Sequence, residues 1–165
     1  MHTVVDDIEQ QLKEWFSDMS KAVVAGIGNP IRGDDCAGIK IAENLKNKVS
    51  NKVCVIDCET VPENYLIDIE NFHPTHILLI DAAILGLQPG ETRLVKAQTF
   101  AGVYAFSSHS LLLRIFCDYL TQLIPNVKIS LLLIEPKHME FGYKLSPEVQ
   151  IAIDKLTATL LSLLT

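Results

Sequence analysis

Four stretches of the chain are apolar almost without interruption: KAVVAGI (21–27), VCVIDC (53–58), THILLID (75–81) and VKISLLLI (127–134). A strand with one face in water alternates, whereas continuous runs of this length suit strands covered on both faces. Between the runs, segments 35–48, 63–71 and 109–124 carry helical spacing. In the last, Leu112, Ile115, Tyr119 and Leu123 fall on one face, with Leu113, Phe116 and Leu120 beside it. A final helix is expected to open at SPEVQ, with Ser146 as N-cap and Pro147 at the first helical position, and to run to the C-terminus. A short helix near 6–18 is expected to pack on the outside. LQPGETRLVKA (87–97), a Pro-Gly turn followed by a polar run, reads as an edge strand.

The order β-α-β-α-β, followed by more strand and helix, predicts an α/β fold with three layers. Its centre is a mostly parallel, twisted sheet of about five strands with helices on both faces. The 165 residues are expected to form a single domain, 1–165, in which 1–20 is an N-terminal helical extension.

Composition narrows the class. With 48% hydrophobic residues, 21% charged residues and a net charge of −6, the chain reads as globular and mildly acidic, which argues against disorder and against nucleic-acid binding. The N-terminal MHTVVDDIEQQLKEWF lacks the basic and apolar regions of a secretion signal. No apolar stretch approaches the roughly 18 residues of a membrane span. A cytoplasmic protein without membrane insertion is expected. Cys36, Cys54, Cys58 and Cys117 form no Cys-x-x-Cys pair, so reduced thiols are the default.

In a doubly wound sheet, ligands bind outside the carboxyl ends of the strands. The stretch KAVVAGIGNPIRGDDCAG (21–38) leaves the first strand through glycines and a proline and sets Asp34 beside Asp35 ahead of a helix. Asp81 ends the third run, and His109, in FSSHSLLL, stands where a helix starts. Two or three carboxylates and one imidazole thus converge on one rim, a donor set that nickel, zinc or iron accepts. A helix N-terminus disfavours imidazolium and so keeps His109 neutral for coordination.

Other chemistries fit less well. Gly26-x-Gly28 resembles the start of a dinucleotide fingerprint, but Gly33 follows Gly28 by five residues instead of three, and the two aspartates would face the pyrophosphate. Cys36 lies where a helix start favours thiolate, yet the same aspartates oppose it and no oriented base is evident. Cys54 and Cys58, four apart on one strand, read as core, as does Cys117. His2, His73, His76 and His138 read as surface-loop residues, the last near the rim. No Gly-x-Ser-x-Gly elbow or His-Glu-x-x-His is present.

GIGNPIRGDDCAG, LLIDAA, SSHSLLL and LLLIEPKHMEFGYKLSPEV, in this order over about residues 21–160, resemble the hydrogenase maturation endopeptidases, in particular the formate-hydrogenlyase (hydrogenase 3) type. The resemblance implies an endopeptidase that removes the C-terminal extension of a nickel–iron hydrogenase large-subunit precursor after nickel insertion. Matched motif by motif, it implies that Asp35, Asp81 and His109 contact the metal and that Asp35 and Asp81 are the catalytic carboxylates. Gly28, Asn29, Gly33 and Asp34 then support the loop. The nickel would arrive with the precursor, since three ligands are too few for a closed structural site. Either the metal or a carboxylate could activate water. The alternative is a non-hydrolytic nickel-binding or scaffold protein for hydrogenase assembly. Cys36 departs from the family, which more often has glycine there. A helical backbone would accommodate cysteine at little cost, and its sulfur is a candidate auxiliary ligand for nickel.

Overall fold

The computed structural model describes residues 8–99 and 110–165. The elements run α1 (Ile8–Trp15), β1 (Ala22–Ile27), α2 (Ala37–Leu45), β2 (Val53–Glu59), α3 (Leu66–Phe72), β3 (His76–Ala82), β4 (Thr92–Lys96), α4 (Ser110–Leu123), β5 (Lys128–Ile134) and α5 (Pro147–Leu164). All four apolar runs are strands, and they pair in parallel in the order β2-β1-β3-β5. β4 takes the edge of the sheet, as its polar sequence predicts, and runs antiparallel to β5 with Thr92 opposite Ile134.

Every residue of β1 and β3 is buried. Successive side chains alternate between two apolar layers. Val23, Ala25, Ile27, Ile77 and Leu79 pack with Ile69 of α3 and with Leu113, Phe116, Cys117 and Leu120 of α4. Ala22, Val24, Leu78 and Ile80 pack with Leu12, with Ile41 and Leu45 of α2, and with Val149, Ile153 and Leu160 of α5. The result is the expected three-layer α/β sandwich.

Several expectations shift. The 35–48 helix begins as a 3-10 turn at Gly33–Cys36, and α2 proper ends at Leu45. The 63–71 helix opens on a 3-10 turn at Pro62–Tyr65 before α3. On α4 the stripe of Leu112, Ile115, Tyr119 and Leu123 is exposed, and the sheet takes the neighbouring stripe of Leu113, Phe116, Cys117, Leu120 and Ile124. Both stripes are apolar, so periodicity alone does not choose between them.

His76 is no loop residue. It opens β3 fully buried, with Thr75 Oγ1 2.8 Å from its Nδ1 and Asp18 Oδ1 3.1 Å from its Nε2. The Trp15 ring meets its imidazole edge-on at 4.9 Å, and Lys128 pairs with the same Asp18 carboxylate. This polar clamp fixes the end of α1 to the amino edge of the sheet. No helix among the described residues is long and apolar enough to cross a membrane.

Candidate active site

The strand order reverses between β1 and β3, which are hydrogen-bonded neighbours. A crevice outside the carboxyl ends of such strands is the usual ligand site of this architecture. Two loops meet there: residues 28–36 after β1, and residues 135–146 after β5.

The first loop is shaped by Gly28. Its φ is +150°, and a Cβ there would stand 1.8 Å from the Asp35 carbonyl oxygen, so the loop folds onto its own far end. The Asn29 amide donates to Asp35 Oδ2 at 3.0 Å, while Asn29 Oδ1 accepts from the Ile31 amide at 3.0 Å. Gly33, at φ +53°, lies against the second loop, where a Cβ would meet the His138 carbonyl oxygen at 2.5 Å. Asp35 is buried by this folding.

The two adjacent aspartates turn to different partners. Asp34, fully buried, accepts four hydrogen bonds: from the amides of Lys137 (2.8 Å), His138 (3.1 Å) and Ser146 (2.8 Å), and from the Ser146 hydroxyl (2.8 Å). Its own amide donates to the His138 carbonyl at 2.7 Å. Ser146 takes the expected N-cap position of α5, but its side chain is used elsewhere. Ser146 has the extended backbone of a cap (φ −72°, ψ 151°) and precedes Pro147, but its hydroxyl makes no capping bond and serves Asp34 instead. A buried carboxylate is the stronger acceptor, and Pro147 leaves the helix with one orphan amide fewer to cap.

Asp81 is the penultimate residue of β3, which continues to Ala82 instead of ending at the aspartate. It is fully buried and opposite Leu133 of β5. Two residues beyond Leu79, it shares the face turned to α3 and α4. His109, the third expected ligand, lies outside the described residues, directly before α4. Among the described residues no group of three His, Cys, Asp or Glu side chains is spaced to hold a metal.

A family model described as hydrogenase maturation protease matches residues 39–163. This chain belongs to the hydrogenase maturation protease family. A Methanocaldococcus jannaschii protein bearing the hydrogenase maturation protease name is 33% identical over 165 residues, 95% of this chain and 96% of its own. The hydrogenase 3 maturation protease of Escherichia coli K12 is 31% identical over 132 residues, 80% of this chain and 83% of its own. Among solved structures, the NiFe hydrogenase maturation protease HycI from Thermococcus kodakarensis KOD1 superposes with a TM-score of 0.85 at 29% identity, over 93% of this chain and 97% of that one.

Within the protease, the cysteines are poor nucleophiles. Burial pushes the Cys36 thiol up, with Asp34 and Asp35 adding to the effect and Lys40 opposing it. Its backbone is helical (φ −82°, ψ −1°), so cysteine is accommodated there without strain. Burial raises Cys54, and it pushes Cys58 and Cys117 up to about 12. A thiol that holds its proton neither attacks a carbonyl nor binds a metal without first losing it.

Two supports of the candidate site escape sequence reading. Glu135, buried just past β5, accepts from the amides of Leu85 and Leu87 at 2.8 and 2.9 Å and so ties down the segment that follows Asp81. Ser146 holds Asp34. The one signal available was a polar residue next to an apolar run, which also describes ordinary surface positions. His138, expected near the rim, lies there: both of its backbone groups bind Asp34, and its ring stacks on Tyr143 at 4.7 Å.

Proposed function

We propose that this protease removes the C-terminal extension of a nickel–iron hydrogenase large-subunit precursor after nickel insertion, and that Asp35, Asp81 and His109 meet the metal carried by that precursor. The nickel is part of the substrate. The observation that supports this reading is that Asp35, which follows β1, and Asp81, at the end of the neighbouring strand β3, are both buried carboxylates. Two carboxylates offer hard oxygen donors to a divalent ion, and His109, which precedes α4 in the sequence, would add nitrogen.

The roles follow from the chemistry. Asp35 is oriented by the Asn29 amide and cannot rotate away without giving up that bond. Asp81, on a strand buried throughout, is held by the sheet itself. An incomplete ligand set leaves room for ligands supplied by the precursor, so only a loaded precursor would complete the site. Either carboxylate can take a proton from the attacking water once a peptide carbonyl lies beside it. The four free thiols, with no disulfide among them, suit the reducing cytoplasm, where we place the reaction.

The test is incubation of the purified protease with nickel-loaded and nickel-free precursor. Shortening of the loaded form alone is expected, and Asp35→Asn should abolish it. Binding without shortening would assign the chain to the scaffold alternative, and full processing by Asp35→Asn would remove Asp35 from the site.

A further inference from the structure

Three large hydrophobic side chains stand in water at the lip of the Asp35 loop: Ile31 at 63% exposure, Phe141 at 66% and Tyr143 at 53%. They form one shelf. The Gly142 amide donates to the Ile31 carbonyl at 3.3 Å, and the Arg32 guanidinium lies 5.5 Å from the centre of the Phe141 ring. Arg32 Nε donates to the Met139 carbonyl at 3.1 Å, and the Tyr143 ring leans on His138. Exposed apolar side chains scattered singly are ordinary, but a contiguous group beside a site marks a contact surface.

The shelf is held in place before anything binds. Asp34 ties residues 137, 138 and 146 to the loop that carries Asp35, and Gly33 lets the two loops touch at His138. The shelf and Asp35 rise from the same two tied loops, so a polypeptide cut beside Asp35 has this apolar surface within the same rim. A second copy of the chain is a poorer occupant, since each carries a net charge of −6 and like-charged copies repel.

We propose that Ile31, Phe141 and Tyr143 form a subsite that receives an apolar side chain of the precursor polypeptide flanking the bond to be cut, and that they set the sequence preference of the protease. The proposal rests on the function given above. It places the specificity surface on the two loops, with Ile31 from the loop after β1 and Phe141 and Tyr143 from the loop after β5.

Phe141→Ala with Tyr143→Ala tests it, with nickel-loaded precursor as the probe and Phe141→Leu as the conservative control. The double variant should raise KM about tenfold and leave kcat within twofold, which is the pattern for lost binding shared by ground and transition states. Phe141→Leu should restore most of the loss. Unchanged KM, or a fall in kcat alone, would overturn the subsite. Asp35→Asn run in parallel separates the two readings: full processing by it removes Asp35 from the site on which the proposed function rests, whereas an inactive Asp35→Asn beside an unaffected double variant removes the shelf alone. Sedimentation showing a dimer that the double variant abolishes would assign the shelf to a second copy and overturn the proposal.

Discussion

The carboxylate of Asp34 receives both the amide and the hydroxyl of Ser146, each at 2.8 Å, across 112 residues of chain. All four donors on this carboxylate are N–H or O–H groups, so an amide nitrogen in place of either oxygen would face a donor. Asp34→Asn should destabilise the fold by about 2–4 kcal/mol, because buried donors lose a charged acceptor. Ser146→Ala, which deletes only the hydroxyl bond, should cost about 1 kcal/mol. Urea unfolding of the two variants checks the ranking, and equal costs would mean that the carboxylate is not the hub.

Gly28→Ala should separate loop geometry from global folding. A Cβ 1.8 Å from the Asp35 carbonyl forces the loop open and moves the carboxylate that Asn29 orients. Processing should fall at least tenfold, on the order expected when a catalytic group is misplaced by about an ångström. Near-native circular dichroism with lost cleavage is the expected pair of results; normal cleavage would show that the loop tolerates the opening.

The thiols should be slow. A thiol moved from 9.0 to about 12 holds roughly a thousandth of the thiolate it would otherwise carry, so Cys58 and Cys117 should resist iodoacetamide at pH 7.5 in the folded protein. Cys54, half-buried, should be alkylated first, and urea should release all four. Cys36→Ala should process precursor within twofold of wild type, since a buried thiol beside two aspartates is disfavoured as thiolate. A large loss would revive the sulfur as a ligand.

Acid should loosen α1 through His76. Burial holds this imidazole below its ordinary value of 6.5, with Asp18 pulling the other way. The unfolded chain then binds the proton more readily than the folded one, so this contribution is complete above about pH 6.5 and fades as the pH drops below it. Melting curves at pH 7.5, 6.5 and 5.5 should show a steeper decline for wild type than for His76→Asn. Parallel declines would mean that His76 does not titrate in this window.

The sheet was legible because burial on both faces leaves β1 and β3 no reason to alternate, and their runs of valine, isoleucine and leucine say so directly. The strand-end rule brought Asp35 and Asp81 to one edge on that basis alone. What stayed hidden was long-range or symmetric. The bond from Ser146 to Asp34 joins segments that no local pattern relates, and a serine before Pro147 also satisfies the rules for a helix cap. The two apolar stripes of α4 are equally hydrophobic, and only the tertiary arrangement decides that Leu113 and Leu120 face the sheet while Ile115 and Tyr119 face outward. His76 looked like loop because Pro74 precedes it, yet the strand begins there.

Gly26 pairs with Ile80, and Leu133 with Asp81, in ladders of parallel strands. The position of Asp81 along β3 is thus written in backbone register and owes nothing to loop length. Insertions between the elements can reshape the rim and change which polypeptide is accepted. A slip of β3 by a single residue would turn Asp81 to the opposite layer and bring Ile80 in its place. The sheet therefore fixes Asp81, while Asp35 depends on the fold of the loop that Gly28 and Asn29 shape.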